Sequence, residues 1–244
     1  MIRRLSIAGR AAVIGDVHGR LDLLEELLGR LGQRQIVHCG DLCDRGPESK
    51  GVVQRLMDAG AVGVRGNHEE WLIRWASGAG FDRFALHPGM GGKATLQSYG
   101  VDPDGSTGDI ERSWRRVPQD QRLWLAALPL ALLLEVGGQT WWVLHAGLPP
   151  QFDFTGVSSP AGLVPWLLKM QPDQMCWAKC WPGDSLPAEH PVIMGHVPME
   201  EPLDAGHCVG VDTGAGTFGV RGRLTALLLP ERRFVSVGPL GERG

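Results

Sequence analysis

Three times in its N-terminal third the chain runs from a short apolar stretch, through a glycine, to a polar residue and then into an amphipathic segment. AAVIGD leads into VHGRLDLLEELLGRL, with Leu21, Leu24, Leu28 and Leu31 at helical spacing and Gly32 just past the end; that is strand, turn, helix and C-terminal glycine. QIVHCGD passes through LCDRGP to a helix expected over residues 49–59, and AVGVRGN leads to one beginning near His68. Consecutive strand–turn–helix units dictate parallel strands joined by crossovers, hence an α/β fold. The strands end at Gly15-Asp16, Gly40-Asp41 and Gly66-Asn67, separated by 25 and 26 residues, which suits βαβ units of about 30 residues. Carboxyl ends of parallel strands are where open α/β sheets bind ligands, so these three polar residues are expected to converge.

Residues 70–127 read as a helical insertion whose tryptophans Trp71, Trp75, Trp114 and Trp124 serve as packing mass. The second half changes character. LALLLEV and TWWVLHAG flank a Gly-Gly turn, a hairpin signal, and PVIMGH, HCVGVDTG, RLTALLL and RFVSV are short strands with few helices between them. This pattern predicts a four-layer αββα sandwich, two mixed sheets face to face with helices outside, in a single domain over residues 1–244.

The remaining composition is exclusionary. Twenty-four Lys+Arg against 27 Asp+Glu supply no basic field, so nucleic acid is not an expected partner. The longest apolar run, residues 123–134, is broken by Pro129 and falls short of the ~18–20 residues of a membrane span; no membrane partner is expected. The first apolar stretch contains Arg10 and runs into Asp16, unlike a signal peptide, and the expectation is a cytoplasmic protein. Five cysteines without staple-like spacing predict reduced thiols, and Cys176-x-x-x-Cys180 does not match a zinc pair.

In order, the polar residues at strand ends are Asp16 and His18, Asp41, Asp44 and Arg45, Asn67, His68 and Glu69, His145, and His196, each beside glycine in GDVHG, GDLCDRG, RGNHE, HAG and GH. Oxygen and imidazole donors without cysteine suit Mn²⁺, Fe or Zn²⁺. So many donor-bearing turns imply more than one ion, and an Asp can bridge two metals about 3.5–4 Å apart.

These motifs, in this order, resemble the calcineurin-like metallophosphoesterases, within them the phosphoprotein phosphatase branch with its bacterial and phage serine/threonine phosphatases. GGKATLQSYG and the GHVPMEEP and VDTGAGTFGVRGRLTALLL segments are similar to the same members, and the likeness spans residues 11–229. The resemblance implies two divalent ions, Mn²⁺ best, with Asp16 and His18 holding the first, Asp41 bridging, and Asn67, His145 and His196 completing the second. It implies a hydroxide shared by the ions as nucleophile, His68 as the acid protonating the leaving group, Asp44 orienting that imidazole, and Arg45 with Asn67 gripping phosphate. Where the family usually brings a second arginine, CWAK offers Lys179, which keeps the charge and loses the bidentate fork.

The substrate the resemblance implies first is a phosphoserine or phosphothreonine protein, since Asp44 and Glu69 are retained where symmetrical dinucleoside tetraphosphatases tend to vary. The alternative is hydrolysis of a nucleotide, diadenosine tetraphosphate, on the same metals; a third is an inactive metal-binding scaffold, against which the full set of ligands speaks. Plainer roles compete for single residues. Asp16 could cap a helix, Asp44 and Arg45 could form a surface pair, Arg112, Arg115 and Arg116 read as a solvated face, and His38, His87, His190 and His207 lie off the motifs. Asp212 is either a turn former or a support for a metal-ligating histidine.

Overall fold

The computed structural model describes residues 2–148, 160–179 and 191–238. Its strands are β1 (Ile2–Ile7), β2 (Ala11–Ile14), β3 (Gln35–His38), β4 (Val62–Gly63), β5 (Ala131–Val136), β6 (Gln139–Leu144), β7 (Val192–Met194), β8 (Leu203–Asp204), β9 (Cys208–Gly210), β10 (Leu224–Leu229) and β11 (Arg233–Val237). The α-helices are α1 (Leu21–Leu31), α2 (Ser49–Asp58), α3 (Asn67–Ala76), α4 (Gly92–Ser98), α5 (Thr107–Arg112), α6 (Gln119–Ala126), α7 (Pro160–Leu167) and α8 (Pro172–Cys176). Among the described residues no helix is long and apolar enough to cross a membrane.

Two mixed sheets form, in the orders β1-β5-β6-β7-β9-β8 and β11-β10-β2-β3-β4. Successive side chains of a strand point to opposite faces, and β2 shows what that does here. Ala11 and Val13 join Val37, Leu132, Leu134, Val143 and Ile193 in the core between the sheets. Ala12 and Ile14 instead face Leu24, Leu27 and Leu31 of α1. The outer face of the other sheet, with Leu133, Trp142 and Leu144, packs on Leu163, Leu167 and Met175 of the α7–α8 region. Helix, sheet, sheet and helix therefore stack as expected, and both faces of each sheet are buried, which is why the central strands read as unbroken apolar runs.

The chain does not give one sheet to each half. β10 and β11 return to complete the sheet begun by β2, pairing antiparallel with it from Leu229↔Ala11 to Ala226↔Ile14. β1, absent from the sequence reading, crosses to the other sheet and pairs parallel with β5. The apolar stripe of α1 also differs in detail: Leu23, Leu24, Leu27 and Leu31 are buried, while Leu21 and Leu28 lie at its margin. The insertion forms its own cluster, with Trp71, Trp75, Phe81, Leu96 and Leu125 in its core.

β2, β3 and β4 run parallel, as do β6, β7 and β9. The turns after β2, β3, β4, β6 and β7 carry Asp16, Asp41, Asn67, His145 and His196. One edge of the sandwich thus collects the polar groups.

Candidate metal centre

The backbone at this edge is unusual before any side chain is considered. Among the described residues six non-glycine residues have positive φ, and five of them are His18, Asp41, Asp44, Arg45 and His196. Left-handed backbone is costly for residues with a Cβ and concentrates at functional sites. The strain is held by neighbours. Glu69, buried on α3, accepts the backbone N–H groups of Asp41 at 2.8 Å, Leu42 at 2.8 Å and Gly66 at 2.9 Å, tying two turns together. Gly66 is glycine because a Cβ there would collide with the Asp41 carboxylate, and a Cβ at Gly195 would collide with that of Asp16.

The donors converge as acceptors facing acceptors. His18 and His145 commit Nδ1 to the carbonyls of Cys43 and Cys39, both at 2.8 Å, so each points an Nε2 lone pair inward. His145 Nε2 stands 2.9 Å from Asn67 Oδ1 and 3.4 Å from Asp41 Oδ2. Asn67 Oδ1 also lies 3.1 Å from His196 Nδ1. Two three-residue groups sharing Asp41, namely His18–Asp41–His68 and Asp41–His145–His196, keep their ligand atoms within 4.8 Å of one another. Asp16 donates no atom to either group: its Oδ2 accepts the His196 N–H at 3.0 Å, and its Oδ1 is buried with no donor among the described residues. Buried oxygens are almost always satisfied, and this one is left with an open lone pair. Lone pairs without protons are what a cation demands, so the residues fit divalent metal.

The charges at the site act in both directions: burial opposes a charge on His145, yet the Asp41 carboxylate raises its pKa. Burial, then the Asp212 and Asp41 charges, raise Asp16 well above the usual carboxylate range. Burial would do the same to Asp41, but the His145 and His68 imidazoles outweigh it and hold it well below. Burial, reinforced by His68, lowers His18 well below an ordinary imidazole, and burial with His145 lowers His196 to about 4; both are thereby kept neutral, the form that binds metal. Burial raises Asp212 to about 6. Asp212 accepts the Gly214 N–H at 2.9 Å, which is the turn-forming one of the two roles read from sequence, and its charge acts on the neighbouring Asp16 carboxylate.

His68 differs from its neighbours. Its Nδ1 sits 2.7 Å from a carboxylate, Asp44 Oδ2. Burial opposes its charge, yet Asp41 and Asp44 together raise its pKa. Asp44 is itself fixed by Trp71 Nε1 at 2.9 Å and Thr95 Oγ1 at 2.7 Å, and its backbone N–H is taken by Ser49 and Thr95 hydroxyls. With Nδ1 committed, a second proton can sit only on Nε2, which lies 3.3 Å from Arg45 Nη2. Arg45 reaches between the rings, its Nη1 2.7 Å from His18 Nε2 and 2.6 Å from Thr217 Oγ1.

Several sequence alternatives are settled by position. Arg20, not Asp16, occupies the N-cap of α1. Asp44 is fully buried, so no surface pair with Arg45 exists. His38 is buried with neither ring nitrogen bonded among the described residues, 5.6 Å from the Trp124 ring. His87 lines the same cavity of about 260 Å³ as His18, Arg45 and His68, a placement its sequence context did not signal. Lys179 lines it too and is exposed. Cys39, Cys43 and Cys176 are free thiols; Cys180 and His190 lie outside the described residues. Trp71, Thr95 and Thr217 were missed as site residues. Thr95 and Thr217 carried a signal, through their places in GGKATLQSYG and VDTGAGTFGVRGRLTALLL.

A layered αββα sandwich with an oxygen- and imidazole-rich edge defines a metal-dependent phosphoesterase. The chain belongs to the calcineurin-like phosphoesterase family, whose pattern it matches over residues 9–221. It is 31% identical over 253 residues to the bis(5′-nucleosyl)-tetraphosphatase PrpE (asymmetrical) of Oceanobacillus iheyensis, covering 92% of this chain and 90% of that one. Among solved structures, a putative diadenosine tetraphosphatase superposes with a TM-score of 0.65 at 21% identity, over 98% of both chains. A Saccharomyces cerevisiae serine/threonine phosphatase similar to human PP5 gives 0.59 at 15% identity, over 99% of this chain and 84% of that one. At these identities the two structures speak to fold alone. Divalent metals are what the family implies, and the His/Asp groups described above could hold them.

Proposed function

We propose that this chain hydrolyses dinucleoside polyphosphates, with diadenosine tetraphosphate as the type substrate, at a centre of two divalent ions. The observation that carries the reading is the convergence of carboxylate and imidazole donors on Asp41, beside a carboxylate-paired His68 and the Arg45 fork. Asp16, His18 and Asp41 would hold one ion, and Asp41, Asn67, His145 and His196 the other; an all-oxygen and imidazole set suits manganese. Bound there, the ions supply Lewis-acid charge that activates water and neutralises phosphate oxygens. Arg45 and Asn67 orient the reacting phosphoryl group, with Lys179 as a further cation at the cavity wall. His68 holds a proton on Nε2 for the departing oxygen, and Asp44 keeps the ring turned and charged.

The choice of a nucleotide over a phosphoprotein is supported by the likeness to the Oceanobacillus tetraphosphatase along nearly its whole length. The sequence argument for a protein substrate rested on Asp44 and Glu69, and their geometry weakens it. Glu69 ties backbone turns together whatever the leaving group, and Asp44 orients an acid at His68 that can serve either substrate, though an alkoxide leaving group needs it more.

Product analysis tests the reading. With Mn²⁺, diadenosine tetraphosphate is expected to give one nucleoside triphosphate and one monophosphate, the asymmetrical split. Two diphosphates would place it with symmetrical hydrolases, and no metal-dependent products would refute the nucleotide assignment.

A further inference from the structure

The cavity changes character from floor to mouth. Its floor is the polar cluster around Asp41 and Arg45, while Phe84, His87 and Trp177 stand on its wall beside Lys179. Five large hydrophobic side chains are exposed among the described residues, and the two aromatic ones are Phe84 at 52% and Trp177 at 40%. Both line this one cavity. A lone exposed ring needs no explanation, but a held cluster at a site does.

The rings are held. Phe84 stacks on His87 with centroids 5.7 Å apart and planes 17° apart, and meets Trp177 at 6.2 Å and 52°. The Phe84 backbone N–H is fixed by Asp82 Oδ1 at 2.9 Å. The Trp177 indole N–H donates to the Glu70 carboxylate, two residues beyond His68 on α3, so this ring is tied to the helix that carries the acid. Phe84 and Trp177 already touch, which leaves no slot between them; a planar ligand would stack on an outer face.

We infer that Phe84 and Trp177 form a stacking platform for a nucleobase whose phosphates reach Arg45 and the acceptor cluster, with Lys179, two residues past Trp177, carrying charge along the chain. This rests on the nucleotide reading above and adds the residues that select for a base. A phosphopeptide presents no obligatory π-face at this distance from its phosphate. A nucleotide always does, and base–aromatic stacking tolerates any base.

The test is equilibrium binding by calorimetry with Mn²⁺ present, using adenosine 5′-(α,β-methylene)diphosphate and the base-free methylenediphosphonate as probes. The parent should bind the nucleoside probe about tenfold or more tightly than the base-free one. Phe84→Ala and Trp177→Ala should each erase much of that preference and leave the base-free affinity within about twofold, while Trp177→Phe retains most of it. Equal affinities in the parent, or equal losses for both probes in the alanine variants, would overturn the platform. Base preference that falls in the variants, found in a protein that does not split diadenosine tetraphosphate, keeps the platform and removes the proposed reaction. Turnover with affinities unmoved by either variant does the reverse.

Discussion

Glu69 bears on the whole centre without touching the cavity, and removing it has a calculable effect. Its carboxylate accepts three buried backbone N–H groups, from Asp41, Leu42 and Gly66, and Asp41 is held at φ 50°. Hydrogen bonds to a charged acceptor contribute about 1.5–3 kcal/mol each, and an unsatisfied buried donor costs about 1–3 kcal/mol. Glu69→Ala is therefore expected to lose ~4 kcal/mol, a large part of the 5–15 kcal/mol typical of a domain. With a urea m-value of ~3 kcal/mol/M, the unfolding midpoint should fall by about 1.3 M. Glu69→Gln keeps one oxygen but turns an NH₂ toward a backbone N–H, so about half that loss is expected. Both variants and parent should be unfolded after chelation, since bound metal adds its own stabilisation. An alanine midpoint within about 0.2 M of the parent would refute the account of how these turns are held.

Other consequences follow from the same geometry. His68→Asn should cut kcat on an alkyl phosphate by about 10²–10⁴-fold, the worth of a general acid, and cost far less on diadenosine tetraphosphate, whose phosphate leaving group needs little help; equal losses on both substrates would remove the acid from His68. Asp41→Asn should purify with less than the parent's metal by elemental analysis, and two full equivalents retained would contradict its bridging role. His38 is buried and its pKa is lowered to about 3 from 6.5. Because the unfolded chain binds that proton first, its contribution to stability is complete above pH 6.5 and is lost as pH falls from 6.5 toward 3. His38→Leu should flatten the acid limb of the parent's urea midpoint by ~1.4 kcal/mol per pH unit over that window; parallel limbs would show that the imidazole ionises freely in the native state.

Much of the centre was legible because glycine and carboxylate recur at strand ends. The close approach of Gly66 to Asp41 and of Gly195 to Asp16 leaves a mark that sequence preserves. Layering was legible too, since strands buried on both faces show as apolar runs. β1 was not: consecutive arginines interrupt IRRLSI, and an edge strand whose residues are half-buried or exposed needs no apolar alternation. Asp16 sits at its turn as read from sequence, with its Oδ2 taken by the His196 N–H, but its carboxylate falls in neither three-residue donor group. Spacing names the donor and not the direction it faces. Phe84 and Trp177 were invisible for a different reason, because a site wall assembled from a 3-10 turn and the end of α8 has no local pattern to read. The phosphoprotein reading was argued from residues that build the site and not from those that line its mouth, and the likeness to tetraphosphatases favours the nucleotide alternative over it.

The most direct test of the account is kcat/KM of the Mn²⁺-loaded protein on diadenosine tetraphosphate and on a phosphothreonine peptide in one buffer, with a metal-stripped control. A preference for the nucleotide of about 100-fold, near 2.7 kcal/mol of differential transition-state binding, abolished by stripping, is the predicted result. A comparable preference for the peptide would contradict it and make the chain a protein phosphatase on the same scaffold.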